Sequence, residues 1–135
     1  MTNFSQVSSR LTQPIRFRDV EWATVPDVAG AYVIFDGDEV LYVGMAGRDG
    51  SGSLRRRLRD HASGQIVNMF AQYLFLARVQ FLMEERCRHP QEAKTACREY
   101  IRGRCAFSFI TTVDGAEARK LEKLLKQELR PSLNP

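Results

Sequence analysis

The sequence predicts an α/β (α+β) fold in which a small three-stranded antiparallel sheet is flanked by helices. Two apolar runs around Gly37 have the pattern of a β-hairpin, and a later β-rich run, Ala106–Val113, supplies the third strand. Between and after these runs, apolar residues recur at helical spacing. The 135 residues fit a single domain over 1–135, and a hydrophobic content of 44% is enough to build its core.

The first 20 residues are polar and basic, with Arg10, Arg16 and Arg18. They predict a loosely ordered basic arm that tightens where Trp22 packs on the core. The whole chain has a net charge of +4, and between residues 48 and 61 it carries five arginines against two aspartates. This concentration favours an anionic polymer as a partner, although most charge runs are solvated helix faces.

The predicted hairpin consists of Ala31–Phe35 and Val40–Val43, and each run carries a tyrosine, Tyr32 and Tyr42. Because side chains alternate along a strand, the loop length decides whether the two phenols share a face. A two-residue loop separates them, whereas an odd number of loop residues places both on one face. An odd loop is therefore expected if both tyrosines serve one site; alone, each could equally be a half-buried strand aromatic.

Ser53 is the predicted N-cap of a helix from Leu54 to about Ala62. The preceding residues 45–53 are rich in glycine and serine, so they predict a flexible loop. This loop lacks the lysine-containing pattern of a P-loop, and no nucleotide pocket is predicted from it.

Within this helix Leu54, Leu58 and Ala62 form an apolar stripe, and Arg57 and His61 are neighbours on an adjoining face. Their spacing is equally compatible with purely structural roles. Arg57 can be a solvent-facing charge, and His61 can be a cation favoured at the C-terminus of the helix.

The middle of the chain, at about 65–104, predicts a helical insert. A buried helix is expected over Ile66–Glu85, where large apolar residues recur at helical spacing. A second helix is expected over 91–102, with Gly103 as its end. The third strand, Ala106–Val113, follows it.

Asp114 and Glu117 have the spacing of a capping box at the start of the last helix. Glu122 borders the apolar arc of this helix, where a carboxylate needs a metal ion, an arginine or solvent as its partner. Asn134, near the end of the chain, has no evident role by itself. The residues of the arc are Ala118, Leu121, Leu124, Leu125 and Leu129.

The three cysteines, Cys87, Cys97 and Cys105, are expected to be reduced thiols. A zinc site formed with His89 is not favoured, because the paired cysteine spacing of structural zinc sites is absent. Neither a signal peptide nor a membrane span is predicted, so a cytoplasmic location is expected.

Taken together, these features resemble the GIY-YIG nuclease superfamily. Gly30–Tyr32 stands for the first tyrosine motif and Tyr42–Gly44 for the second. Leu54–His61 is similar to the helix that carries the catalytic arginine of the family. Glu117–Asn134 is similar to the end of the nuclease domain in repair members.

The resemblance implies a metal-dependent DNA endonuclease that hydrolyses phosphodiester bonds. Glu122 would hold one Mg²⁺ or Mn²⁺ ion, Arg57 would bind the scissile phosphate, and Tyr32 would orient or deprotonate the attacking water. A base role for Tyr32 requires nearby positive charge to lower its pKa, and His61 is a competing base. The implied catalytic residues are Tyr32, Tyr42, Arg57, His61, Glu122 and Asn134.

The chain departs from the family pattern in several places. Ala31 replaces the usual β-branched residue, and the loop 45–53 is longer than usual. Met45 stands where repair members often have lysine, a role that Arg48 could take. The insert at 65–104 lies outside the resemblance.

DNA is the expected partner, bound through its phosphate backbone by Arg48, Arg55, Arg56 and Arg59. Branched and damaged DNA are among the candidate substrates, and a homodimer is one way to cut both strands. Two alternatives stay open. One is a non-catalytic nucleic-acid-binding module on the same fold, and the other is a structural or interaction protein with the insert as its interface.

Overall fold

The computed structural model describes residues 6–47 and 52–134. The predicted mixed α+β fold, an antiparallel sheet flanked by helices, is confirmed. Short 3-10 turns occupy Val7–Arg10, Phe17–Asp19, Trp22–Thr24 and Val79–Leu82. Within the described residues the regular elements are β1 (Ile15–Arg16), β2 (Gly30–Asp36), β3 (Glu39–Ala46), α1 (Leu54–Ala62), α2 (Met69–Ala77), α3 (Pro90–Arg104), β4 (Cys105–Thr111) and α4 (Gly115–Leu129).

In this part of the chain the sheet has four strands, in the order β1-β4-β2-β3, paired antiparallel. The prediction of three strands was wrong, because β1 comes from the segment expected to be a loose arm. Thr12 exchanges two hydrogen bonds of 3.1 Å with the backbone of Phe109, and Phe17 is buried. A two-residue strand is too short to show alternation in sequence; its pairing with β4 defines it. The first five residues of the arm lie outside the described residues.

The turn between β2 and β3 contains two residues, Gly37 and Asp38, and Gly37 has a φ of 61°. Glycine suits this turn because it adopts positive φ without a steric penalty. Phe35 therefore pairs with Val40, as a two-residue turn requires. The expectation of an odd loop was wrong.

A β-bulge at Leu41 brings the two tyrosines onto one face in place of an odd loop. Beyond the bulge the register shifts by one residue, so Ile34 pairs with Tyr42 and Tyr32 pairs with Gly44. The extra residue on one strand changes which side chains share a face, as one more loop residue would. The sequence pattern of the hairpin does not reveal this bulge.

The sheet carries a hydrophobic core on each face. On one face Tyr32 and Phe107 pack with residues of α1, α2 and α3, such as Leu58. On the other face α4 packs against β2 and β3, and Leu125 lies in the same cluster as Val33. The strand β3 forms one edge of the sheet. Side chains from the two faces can therefore come together beside it.

Helix α1 follows its prediction. Ser53 is the N-cap, and its side chain accepts a hydrogen bond of 3.2 Å from the backbone N–H of Arg56. Leu54 and Leu58 are buried. The cap and the apolar stripe are local features, which is why the sequence locates this helix well.

The first part of the insert differs from its prediction. Instead of one helix over Ile66–Glu85, α2 begins after Asn68, whose side chain accepts a 2.9 Å hydrogen bond from Ala71 N–H. The helix ends at Ala77, and the C-cap residue Arg78 leaves the helical conformation with φ −136° and ψ −59°. The guanidinium of Arg78 forms an ion pair with Glu39 on β3. This long-range partner coincides with the break, and the sequence pattern does not show it.

Helix α3 passes through Gly103 and ends at Arg104, so the predicted end at Gly103 was wrong. Cys105, the first residue of β4, has an extended backbone with φ −104° and ψ 153°. The chain thus enters the strand directly and needs no left-handed glycine at the helix end.

The cap of α4 is formed by the two residues expected to do so. Asp114 Oδ1 accepts a hydrogen bond of 2.9 Å from Glu117 N–H. Glu117 Oε1 accepts in turn from Val113 N–H at 3.0 Å, one residue earlier than in the usual capping box. Leu124, predicted in the buried arc, is 41% exposed.

After α4 the C-terminal tail runs along the free edge of β3. Ser132 N–H donates to the carbonyl of Val40 at 3.0 Å, and Leu133 N–H donates to that of Leu41 at 2.8 Å. The tail therefore covers the edge at the bulge, where strand groups would otherwise be unpaired.

Candidate functional site

A cavity of about 540 Å³ opens beside the edge strand β3. The tyrosines and α1 stand on one face of the sheet, and α4 packs on the other. His61 does not line the cavity; it lies behind Tyr32 in the core. The predicted catalytic residues that line it are Tyr32, Tyr42, Arg57, Glu122 and Asn134.

Tyr32 is 1% exposed, and its oxygen lies 2.5 Å from Nε2 of His61. Gly44, its partner on β3, leaves room for this ring. A Cβ at position 44 would lie 2.5 Å from Cζ of Tyr32 and closer still to its oxygen. The glycine of the second tyrosine motif is therefore required by the phenol of the first.

His61 is also 1% exposed, and its ring is surrounded by the rings of Tyr32, Tyr42 and Phe70. Burial and the charge of Arg57 lower its pKa from 6.5 to about 3, so the imidazole is neutral at pH 7. It is not an exposed cation at the end of the helix.

The donor in the hydrogen bond between His61 and Tyr32 depends on the tautomer of the imidazole. Nε2 lies 2.5 Å from the phenol oxygen, and either Nε2–H or the phenol O–H can donate. Burial and the charge of Arg57 lower the pKa of this imidazole, whereas a side-chain hydrogen bond with Asn68 raises it to a smaller extent.

The two phenols differ in access to the cavity. Tyr42 is half-buried, whereas Tyr32 is fully buried. Burial raises the pKa of Tyr32 well above its usual value, with a further rise from Tyr42, and it also raises the pKa of Tyr42. The charge of Arg57 lowers both pKa values and so opposes these rises.

Arg57 is exposed and lies on the cavity wall. One turn of α1 separates it from His61, so the same helix supplies a buried neutral imidazole and an accessible guanidinium. Arg56 lines the cavity as well, so the part of the wall that the structure describes carries two guanidinium groups. A planar guanidinium matches the oxygens of a phosphate.

Glu122 enters the cavity from α4, with its side chain 18% exposed. Its carboxylate lies 3.7 Å from Nζ of Lys126, one turn along the same helix. Asp60 is the other acidic residue on the described cavity wall. Within residues 6–47 and 52–134, no three acidic, histidine or cysteine side chains converge as metal ligands. One partly buried carboxylate fits a hard cation that keeps most of its waters.

Asn134 lines the cavity, but both ends of its side-chain amide are engaged. Oδ1 accepts from Val43 N–H at 2.8 Å, and Nδ2 donates to the carbonyl of Val43 at 3.0 Å. The side chain thus imitates a neighbouring strand at the edge of β3. It holds the C-terminal tail beside the cavity.

The other predicted DNA-binding arginines are distributed differently. Arg55 donates to the carbonyls of Val25 at 2.8 Å and Ala23 at 3.2 Å, so it ties α1 to the N-terminal segment. Arg59 is exposed and lies outside the cavity lining. Arg48 lies outside the described residues.

Several cavity residues were not predicted from the sequence. Met69 and Tyr73 come from α2 of the insert, within the segment that was predicted to be a buried helix. Lys126 was also missed, although its position four residues after Glu122 is a usable signal.

All three cysteines are free thiols: Cys97 and Cys105 are buried, and Cys87 is half-buried. None of the helices in the described residues has both the length and the apolar character needed to cross a membrane.

Comparison with protein-family models gave no match, and no curated protein matched the chain.

Proposed function

We propose that this protein is a metal-dependent DNA endonuclease that hydrolyses phosphodiester bonds. The observation that carries the proposal is the convergence of Tyr32, Tyr42, Arg57 and Glu122 on one cavity, although they come from four different elements. The same residues underlie the resemblance to the GIY-YIG nuclease superfamily.

Phosphodiester hydrolysis requires a positioned water and compensation of the charge that grows on the phosphoryl oxygens. Arg57 is the group for the second task, since it is accessible, permanently charged and beside the tyrosines. Arg56 on the same wall would contact a neighbouring phosphate. These contacts position DNA without reading its sequence.

Glu122 is the residue that would hold a divalent cation, Mg²⁺ or Mn²⁺. When bound, such an ion polarises a phosphate oxygen and stabilises the leaving oxygen. Lys126 neutralises the carboxylate in the absence of the ion. Its amine would move away from Glu122 when the cation binds and would then be free to contact a phosphate.

Tyr32 is suited to orient the attacking water. A hydrogen bond with His61 fixes its oxygen at one point of the cavity wall. Tyr32 is a neutral phenol at pH 7 in the free protein, as an ordinary tyrosine is, and burial raises its pKa further. Arg57 favours loss of the phenol proton, so a base role for Tyr32 would depend on this arginine. Tyr42, at the rim, would complete the contact with water or substrate.

A non-catalytic nucleic-acid-binding module on the same fold is the second candidate. The observation that favours it is the burial of Tyr32, which raises the pKa of the phenol and shields its oxygen from solvent. Binding through Arg56 and Arg57 would need neither the phenol nor a cation.

Incubation with supercoiled plasmid and with branched DNA, in Mg²⁺ or in EDTA, separates these candidates. The wild type is expected to nick DNA in Mg²⁺ only, and Glu122→Gln is expected to be at least about 100-fold slower. Glu99→Gln is the matched control, because this exposed glutamate lies on α3 away from the cavity, and it should nick like the wild type. DNA binding by the wild type without any nicking in Mg²⁺ would establish the binding module instead.

A further inference from the structure

Apart from Gln72, whose amide donates to the carbonyl of Ile66, helix α2 is apolar on both faces, although only one of them is buried. Phe70, Ala71 and Leu74 face the core and are fully buried. On the solvent side Met69 is 47% exposed and Leu76 is 61% exposed. A helix with apolar residues all round is usually enclosed, so the outer face is suited to a partner.

Met69, Tyr73 and Leu76 form a single stripe on α2, which we call the α2 stripe. They stand at positions i, i+4 and i+7, the spacing of one helix face. Met69 and Tyr73 line the cavity that contains Arg57, and Leu76 continues the stripe beyond it. The apolar surface is therefore continuous with the proposed phosphate site.

An apolar surface next to a phosphate site favours one kind of ligand. A group bound here must present an anionic phosphate to Arg57 and a flat apolar face to Tyr73. A nucleotide with an unstacked base has both, joined by its sugar, whereas a paired base is enclosed within the duplex. Proteins that bind single strands use this pairing of cationic groups with aromatic stacking platforms.

We propose that the α2 stripe binds an unpaired nucleobase next to the scissile phosphate, with Tyr73 as the stacking platform. The substrate class is then DNA with single-stranded nucleotides at the cleavage point, such as flaps and gaps. The inference rests on the proposed function, because Arg57 must bind the phosphate that brings the base to Tyr73.

The α2 stripe can be tested by binding to oligonucleotides that contain the fluorescent base 2-aminopurine. EDTA is present throughout, so that the measurement does not depend on cleavage. Stacking on Tyr73 should quench the probe in single strands for the wild type and for Tyr73→Phe. Tyr73→Ala should lose the quenching and about 5- to 150-fold of its single-strand affinity, the range expected for one stacked base. Phe81→Ala removes an aromatic residue that is 74% exposed and outside the cavity, and it should behave like the wild type.

Tyr73→Leu provides a second variant, since Tyr73 also packs partly against the core. It keeps apolar volume without an aromatic face, so it should also lose the quenching while remaining folded by circular dichroism. Equal loss of single-strand and duplex affinity in both variants would overturn the base site. So would a change from dimer to monomer in Tyr73→Ala with quenching retained, which would identify the α2 stripe as a contact between two copies.

The same proteins in the plasmid assay separate this inference from the proposed function. Nicking without quenching overturns the base site alone. Quenching that depends on Tyr73, with no nicking of any DNA, overturns only the nuclease activity.

Discussion

The oxygen of Tyr32 lies 2.5 Å from Nε2 of His61, and both side chains are 1% exposed. The pair belongs to the core as much as to the cavity. It fixes one point of the cavity wall by a buried hydrogen bond, while Tyr42 and Arg57 remain accessible. A change in either residue of the pair therefore affects stability and the site together.

The buried neutral state of His61 predicts a pH-dependent stability. Its pKa of about 3 in the folded protein lies below the ordinary 6.5, so the unfolded state binds the proton more readily. The stability that the neutral His61 contributes to the folded protein is fully present above pH 6.5 and is lost as the pH falls towards 3. Between pH 7 and pH 5 the free energy of unfolding should fall by about 2 kcal/mol, as measured by urea denaturation.

Two controls assign this slope to His61. His61→Leu should abolish it, and His89→Gln, at the exposed other histidine, should retain it. Hydrogen bonds from Arg78 and Ser132 lower the pKa of Glu39 to about 2, so this carboxylate adds its own loss only below about pH 4.5. The window from 4.5 to 6.5 therefore isolates the histidine. An equal slope in wild type and His61→Leu would contradict the prediction.

Gly44→Ala is expected to disrupt the Tyr32–His61 hydrogen bond. A Cβ at this position would lie 2.5 Å from Cζ of Tyr32, a distance that real Cβ contacts do not reach. The phenol must move, which leaves buried polar groups unpaired at a cost of about 1–3 kcal/mol in unfolding free energy. Plasmid nicking by Gly44→Ala should also fall, because the Tyr32 oxygen is displaced.

Gly103→Ala is the matched control for this substitution. Among the described residues, no atom outside its chain neighbours and its own helix backbone lies within 4 Å of a Cβ at Gly103, which is in the last turn of α3. Alanine at this helical position should leave the protein as stable as the wild type or more stable by up to about 1 kcal/mol, with nicking unchanged. Thermal and urea unfolding of both variants would measure the contrast. If Gly44→Ala were as stable as the wild type, the Tyr32 ring could move aside without a loss of stability, and the prediction would be wrong.

The elements predicted correctly from the sequence are those with local signals. The Ser53 cap fixes the start of α1, and the Asp114–Glu117 pair fixes that of α4. The hairpin was predicted because β-branched and aromatic runs flank Gly37. Neighbouring residues determine each of these features, so a pattern within ten or so positions is enough.

The features that sequence reasoning missed depend on distant partners. The bulge at Leu41 lies where the C-terminal tail bonds to β3, more than 90 positions later. The C-cap of α2, Arg78, forms an ion pair with Glu39. For the site, a shared face for the two tyrosines was expected only with an odd loop, and the bulge provides that face instead. Tyr73 lies in the segment predicted as a buried helix, and it was missed as a site residue because helical spacing does not reveal an adjacent cavity.

Asn134→Ala is expected to release the C-terminal tail from β3. It removes two hydrogen bonds with the backbone of Val43, worth about 1–3 kcal/mol together. The amide proton of Val43 should then exchange with solvent at least about tenfold faster, as measured by NMR. Asn134→Asp retains the acceptor for that proton and should show a smaller effect. Unchanged exchange in Asn134→Ala would mean that the tail is held by Ser132 and Leu133 alone.

Lys126→Met is expected to strengthen cation binding by Glu122. The amine of Lys126 lies 3.7 Å from the carboxylate, so a divalent ion must compete with it. Breaking a partly exposed ion pair costs about 0.2–1 kcal/mol, and its removal should tighten Mn²⁺ binding by roughly 1.5- to 5-fold. Titration of Mn²⁺ followed by electron paramagnetic resonance, without DNA, measures this directly. Lys123→Met removes an equal charge from an exposed position of α4 outside the cavity lining and should bind like the wild type. Glu122→Gln should bind no ion, and equal affinity in Lys126→Met and the wild type would show that the amine does not compete.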